Sequence, residues 1–229
     1  MFEEKPLPEK LLNFKKQVKV PQCEETEELQ RRVDLFFYYL NSLNFEEITE
    51  GLYSANFIAG LLNLFMSEQE IGVVVDEIKH LQMPNKYRSR TKPPTKFKHS
   101  PLKGLWHKHY FPGDIRSIAM NIISGLNTKG GLRKVIGQVC SSSGENVFTP
   151  QLINKLAHEV TEVPFSERAE QEKITGEWII FHEFEGKNYF LAISNHTTQI
   201  EDEKLAEMIS TFSKVEFPEL KNSLEIFEW

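Results

Sequence analysis

Apolar residues in the first third of the chain recur at the spacing of a helix face, at Leu29, Val33, Phe36, Phe37, Leu40 and Leu43. A second helix is predicted over Ala55–Met66 with Ser54 as its cap. A third is predicted behind Ser67 and Glu70, whose spacing matches a capping box. Residues 1–22 contain three prolines, and we expect them to form a loosely held arm.

The helical pattern stops at residue 82. Five prolines between residues 82 and 113 exclude a long helix there. We expect an irregular stretch with a short strand near residues 105–111, and we expect its embedded aromatic and leucine side chains to anchor it. A stretch of this length without regular structure is often functional or disordered.

The pattern of the remaining residues predicts both helices and strands. Helices are expected after Asp114, where isoleucines fall at helical spacing, after Thr149-Pro150, and from about residue 201. The clearest strands are Glu177–Phe184 and Asn188–Ser194, which the link Glu185-Gly186-Lys187 joins into a hairpin. Both strands are apolar on both faces, which is typical of central strands covered on each side.

The order of these elements predicts an α+β fold, in which a C-terminal antiparallel hairpin or sheet packs against helices. We expect an acidic helical region at 1–81, a basic Pro-rich connection at 82–113, and an α+β region at 114–229 that contains the hairpin 177–194. These three ranges can also form a single domain.

Charge is distributed unevenly along the chain. Residues 79–113 contain 9 Lys and Arg residues and no Asp or Glu, although the whole chain has a net charge of −6. Such a stretch attracts RNA or another polyanion. It could equally bind the protein's own acidic surface or an acidic protein partner. The nucleic-acid contacts that we predict are Arg88, Arg90, Lys96, Lys98, Lys103, Trp106, Tyr110 and Arg116.

The most distinctive local feature is the run from Trp106 to Tyr110, Trp-His-Lys-His-Tyr. On a strand, His107 and His109 would point to the same face. Two histidines can act as the general base and general acid of phosphodiester cleavage without a metal, and Lys108, Lys103, Lys98 or Arg116 could supply the stabilising cation. His182 on the hairpin is a further candidate, and His196 lies just after it. This set indicates a small metal-independent ribonuclease of the toxin type.

Three alternatives remain open at the level of sequence. His107 and His109 could be structural residues, or two ligands of a zinc ion whose third ligand is Asp114, His99, His182 or Glu183. The chain could also be a non-catalytic interaction protein, such as an adaptor, an inhibitor or an antitoxin-like partner.

The sequence favours neither a cofactor nor a membrane. Phosphate-loop, dinucleotide-binding, nucleophile-elbow and HExxH motifs are absent from the sequence, so we expect no cofactor. An apolar run long enough to span a bilayer and a signal peptide are also absent, so we expect a cytoplasmic protein without a membrane partner.

Overall fold

The computed structural model describes residues 5–143, 149–195 and 199–224. The chain divides into two compact units. The sheet unit comprises Met1–Arg88, Pro94–Tyr110 and Glu177–Trp229, and the helical unit comprises Ser89–Pro93 and Phe111–Gly176. The basic stretch is therefore shared between the units, and the hairpin belongs with the N-terminal helices. Helices and an antiparallel sheet confirm the predicted α+β class.

Along the chain, the sheet unit has helices before its strands and helices after them. Its first helices are α1 (Glu9–Gln17), α2 (Thr26–Ser42), α3 (Phe45–Thr49), α4 (Ala55–Met66) and α5 (Gly72–Gln82). Its strands are β1 (Thr95–Lys96), β2 (Trp106–Tyr110), β3 (Glu177–Phe184) and β4 (Lys187–Ser194). A last helix, here called α9 (Gln199–Glu216), and a 3-10 helix (Pro218–Asn222) follow. The helical unit contains α6 (Ile115–Thr128), α7 (Leu132–Ser143) and α8 (Pro150–Glu170).

The four strands form one antiparallel sheet in the order β1-β2-β3-β4. A two-residue turn, Glu185-Gly186, joins β3 to β4, and both residues have positive φ values, 51° and 75°. This is the backbone of a type I′ turn, whose twist matches that of the flanking strands. The predicted hairpin is confirmed, with a link one residue shorter than expected because Lys187 already pairs with Phe184.

Each face of the sheet closes a separate apolar core. Side chains of α2, α4 and α5 pack on one face, where Phe57 lies 5.7 Å from Phe190 between ring centroids. Residues of α9 and the 3-10 helix, including Ile209 and Leu220, pack on the other face with Ile180 and Leu191. The prediction that the hairpin strands are covered on both sides is confirmed.

Ser54 connects the N-terminal helices to the sheet. Its side chain accepts a hydrogen bond from the backbone N–H of Phe57, which confirms it as the cap of α4. The same hydroxyl donates to the carbonyl of Leu191 at 2.8 Å, and the backbone N–H of Ser54 donates to Phe190. The residue that caps α4 therefore also provides hydrogen-bond partners for backbone carbonyls of β4.

Two N-terminal expectations were wrong. The arm at 1–22 contains helix α1, because Leu11 on that helix is fully buried in the core. The pair Ser67 and Glu70 does not form a capping box: Ser67 ends α4, and Glu70 accepts from the backbone of Gly72.

Helices α6 and α8 of the helical unit begin where the sequence predicts. Asp114 accepts a hydrogen bond from the backbone of Ser117, and Thr149 accepts one from Leu152, so both expected helix starts are confirmed and both are capped by a side chain. The small core between the helices consists of Leu126, Val135, Val139 and Leu152. A parallel β-bridge from Thr91 to Ile174 belongs to the same unit.

Helix α6 buries Ser117, Asn121 and Gly125 and exposes several of its apolar residues. Asn121 is fully buried, where its side chain bonds the backbone of Thr175 and the guanidinium of Arg168. In contrast, Ile115 is 87% exposed and Ile123 is 51% exposed. The predicted helix is confirmed, but most of its isoleucines point away from the core. The hydrogen bonds of Asn121, and the close contact of α6 with α8 at Gly125, determine this orientation. In the described part of the chain, no helix is long and apolar enough to cross a membrane.

The close contact is made by Gly125, and it yields a prediction. A Cβ atom at Gly125 would lie 2.7 Å from the carbonyl oxygen of Pro164 on α8. We expect Gly125→Ala to lower the free energy of unfolding of the helical unit by about 1–3 kcal/mol, because α6 and α8 must separate. The measurement is urea unfolding followed by far-UV circular dichroism.

Gly137→Ala is the matched control, since a Cβ on this α7 glycine meets nothing within 4 Å. We expect it to raise the free energy of unfolding by up to about 1 kcal/mol through helix propensity. Equal effects of the two variants would contradict the close packing of α6 on α8.

Candidate functional site

The candidate site is built on β2, whose side chains alternate between the two faces of the sheet. Trp106 and Tyr110 pack into the core formed with the N-terminal helices. His107 pairs with Ile180, and His109 pairs with Trp178, on the opposite face. Strand geometry therefore separates the histidines from the three other residues of the distinctive run.

Lys108 and Tyr110 are directed into the protein and not toward a ligand surface. Lys108 is fully buried, and its ammonium forms an ion pair with Glu77 of α5 at 3.2 Å. Tyr110 is 1% exposed. Because Lys108 lies on the face opposite His107 and His109, it does not complete a catalytic set with them. A buried lysine paired with a carboxylate is a structural arrangement whose disruption is costly.

His107 and His109 lie side by side. Their ring centroids are 5.6 Å apart, with the ring planes nearly perpendicular at 88°. The ring of His107 is also 4.6 Å from that of Phe97 and 5.2 Å from that of Trp178. His107 is partly exposed, whereas His109 is 6% exposed. Of the two residues, His107 is the more exposed, although its Nδ1 atom is buried.

His182 lies on β3 and is mostly enclosed. Its Nε2 atom is 3.1 Å from the hydroxyl of Ser223, and within the described residues Nδ1 has no hydrogen-bond partner. Burial, together with the nearby positive charge of Lys96, lowers the pKa of His182 from 6.5 to about 4. This histidine is therefore neutral at physiological pH. His196, the other histidine considered near the hairpin, lies outside the described residues.

The lysines and arginines that are predicted to contact nucleic acid are divided between the two units. Arg88, Lys96, Lys98 and Lys103 are exposed on the sheet unit, whereas Arg90 and Arg116 are exposed on the helical unit. Lys96 extends over Trp106, with its ammonium 4.9 Å from the ring centroid. The three lysines at 96, 98 and 103 lie on β1 and on the loop that leads from it to β2, close in sequence to His107.

Sequence reasoning missed the residues that surround the predicted ones. Phe97 and Trp178 enclose the ring of His107, Glu77 neutralises Lys108, and Ser223 bonds His182. Phe97 could have been found from its position beside β1. The partners Glu77, Trp178 and Ser223 come from distant elements and follow only from strand pairing and packing.

The described residues do not assemble the zinc site that the sequence leaves open as an alternative. Across residues 5–143, 149–195 and 199–224, no three His, Cys, Asp or Glu side chains converge in a way that could hold a metal ion. Two surface grooves of about 460 and 430 Å³ lie along α2, and Arg31 and Leu35 line both. Neither groove is lined by a residue of the predicted site.

No family model, curated protein or solved structure matches this chain. The function must therefore be inferred from its own residues.

The environment of His182 predicts how stability depends on pH. The pKa of this histidine is about 4 in the folded protein and near 6.5 when it is solvated, so the unfolded chain binds the additional proton. Its contribution to stability is therefore present above pH 6.5 and is lost as the pH falls toward 4. We expect the urea midpoint, followed by tryptophan fluorescence, to fall less on acidification in His182→Gln than in the wild type.

His158→Gln is the control, because His158 is an exposed residue of α8 that pairs with Glu162 at the surface. Its pH profile should follow that of the wild type. If His182→Gln also follows the wild-type profile, His182 is not the group that titrates.

Proposed function

We propose that this protein binds single-stranded RNA through its basic hairpin, residues 95–110. The observation that carries the proposal is the exposure of Lys96, Lys98 and Lys103 on a segment without acidic residues. Lysine side chains that contact phosphates displace condensed counterions, and this provides affinity without sequence preference. Outside the basic stretch at residues 79–113 the chain is acidic, which confines this attraction to that stretch.

Aromatic groups on the same hairpin favour a single strand over a duplex. Phe97 and His107 are both partly exposed, and their rings lie 4.6 Å apart on one face of the sheet. An unpaired base can stack on such rings, whereas the stacked bases of a duplex cannot reach them. Lysines beside partly exposed rings are the combination that non-specific single-strand binding proteins use.

The proposal extends to cleavage of the bound RNA, with His107 as the proton-transfer group. A neutral imidazole would remove the proton of a ribose 2′-hydroxyl, whose oxygen then forms a bond to the adjacent phosphorus. The bond from phosphorus to the 5′-oxygen breaks, and the imidazolium that has formed at His107 gives that oxygen the proton. The products are a 2′,3′-cyclic phosphate and a 5′-hydroxyl, and the step needs no metal. His109, which is nearly enclosed 5.6 Å from His107, would act as a positioning residue.

RNA binding is tested by removing three charges from the basic hairpin. For the triple variant Lys96→Gln, Lys98→Gln and Lys103→Gln, we expect the affinity for a single-stranded RNA to fall by at least about tenfold. The slope of log affinity against log salt should decrease by about 2, since each lost phosphate contact contributes about 0.7. Fluorescence anisotropy at several salt concentrations measures both quantities.

The matched control is Lys16→Gln, Lys19→Gln and Lys204→Gln, which removes three charges from exposed positions elsewhere on the sheet unit. Its affinity and salt slope should remain those of the wild type. Equal losses in the two triple variants would show that net charge, and not the basic hairpin, determines binding.

Cleavage is tested with purified protein and total RNA, with and without EDTA. We expect EDTA to leave cleavage unchanged, and His107→Ala to reduce it by at least about 100-fold, because general acid–base catalysis contributes 10² to 10⁴. His158→Ala, which changes an exposed histidine on α8, should retain full activity. Cleavage that EDTA abolishes, or that His107→Ala retains, would refute the acid–base role of His107.

A further inference from the structure

The last described residues of the chain lie beside the basic hairpin. The hydroxyl of Ser223 is 3.1 Å from Nε2 of His182 on β3. The next residue, Leu224, is buried in the same apolar core as Leu102 and Leu105 of the hairpin loop. Residues 225–229, which follow Leu224, lie outside the described residues, and their starting point is therefore next to this loop.

Strand pairing places this starting point on the face of the sheet that carries the histidine pair. His107 pairs with Ile180, and His182 lies two residues farther along β3, so its side chain points to the same face. Diagonal neighbours on one face of two antiparallel strands are about 7–8 Å apart. Because Ser223 contacts His182, the segment that follows begins a short distance from the rings of His107 and Phe97.

The segment is long enough to reach across the basic hairpin. An extended chain advances at most about 3.3–3.6 Å per residue, so residues 225–229 reach roughly 17 Å from Leu224. Strand β1 is separated from β3 only by β2, which corresponds to two strand spacings, or about 10 Å. Lys96 on β1 and Lys98 just after it are therefore within reach of the segment.

The charges of this segment are opposite to those of the basic hairpin. Residues 225–229 read Glu-Ile-Phe-Glu-Trp, and Glu225 and Glu228 carry their two side-chain charges. The hairpin exposes three lysines and belongs to a stretch without acidic residues. Carboxylate oxygens accept charge-assisted hydrogen bonds from ammonium groups, as phosphate oxygens do. The segment therefore offers these lysines the kind of contact that we propose for the phosphates of RNA.

The aromatic residues of the segment match the rings of the hairpin. Phe227 and Trp229 supply two rings, and the partly exposed rings of Phe97 and His107 lie 4.6 Å apart on the hairpin. Aromatic rings pack edge to face or offset and stacked, with centroids about 4.5–7 Å apart. Anionic and aromatic groups together are what a single-stranded RNA presents to a binding protein.

We propose that residues 225–229 bind the basic hairpin of the same chain and compete there with single-stranded RNA. The competition rests on the proposed RNA-binding function, whereas the contact between the segment and the hairpin does not. A tethered ligand has an effective concentration in the millimolar range, so weak contacts keep the surface occupied for much of the time. Occupation for about nine-tenths of the time lowers the apparent affinity for RNA about tenfold.

The first test compares RNA affinity between the wild type and the double variant Glu225→Gln and Glu228→Gln. We expect the variant to bind a single-stranded RNA about three- to tenfold more tightly, because the hairpin is then more often unoccupied. The variant Phe227→Ala and Trp229→Ala should also bind more tightly, although it leaves the charge unchanged. Fluorescence anisotropy with the intact chain measures these affinities.

The matched control is Glu203→Gln and Glu207→Gln, which removes two negative charges from exposed positions of α9. This variant should bind RNA as the wild type does. An equal gain in both glutamate variants would overturn the proposal and assign the effect to net charge. Unchanged affinity in both variants of residues 225–229, with RNA still bound, would also overturn it.

A second test detects the contact without RNA. The intact chain is treated with an acetylating ester, and mass spectrometry follows modification of Lys96 and Lys98. We expect both lysines to react at least about twofold faster in the variant Phe227→Ala and Trp229→Ala than in the wild type, because the segment covers them less often. Lys16, which is exposed on α1, is the internal reference and should react equally in both chains.

The acetylation rates separate failure of this inference from failure of the proposed function. Equal rates at Lys96 and Lys98 in the two chains would overturn the contact, whatever the result with RNA. If none of the chains binds RNA but the rates differ as expected, the proposed function fails together with the competition. The segment then remains assigned to the hairpin as its intramolecular ligand.

Discussion

The alternation of side chains along β2 is the constraint on which the rest of the sheet unit depends. One face of this five-residue strand closes the core of the N-terminal helices, where Lys108 pairs with Glu77 within an otherwise apolar environment. The other face carries His107 and His109 beside aromatic rings. A shift of one residue in register would exchange the two sets, turning the histidines toward that core and Tyr110 toward the other face. Core packing therefore holds the histidine pair in position, although neither histidine belongs to that core.

Features determined by neighbours in sequence could be predicted, whereas features determined by distant partners could not. The caps Ser54, Asp114 and Thr149 and the hairpin follow from local chemistry, and all are present. The direction in which α6 faces depends on hydrogen bonds from Asn121 to residues near position 170, which no local pattern reveals. Helix α1 was missed for the same reason, since burial of Leu11 against distant helices stabilises it.

The candidate site shows the same division. The period of a strand places His107 and His109 on one face, as the sequence predicts. The same period places Lys108 on the other face, where it pairs with Glu77 and cannot act together with the histidines. Trp178 reaches His107 only because β3 pairs with β2, although residues 111–176 separate the two strands in the sequence. The chemistry available to His107 is thus determined jointly by a local repeat and by a pairing across a long separation in sequence.

That pairing also constrains the order in which the chain can fold. Tyr110, the last residue of β2, lies opposite Glu177, the first residue of β3, and all of residues 111–176 are inserted between them. An unstructured insertion of this length imposes an entropic cost on joining the two strands, whereas an insertion that has already folded can bring its ends together. During synthesis the N-terminal helices emerge long before Phe181 and Phe190, which complete their core. The apolar side of these helices therefore stays uncovered until β3 and β4 have been synthesised. Early folding of the inserted helices would then speed the pairing of β2 with β3.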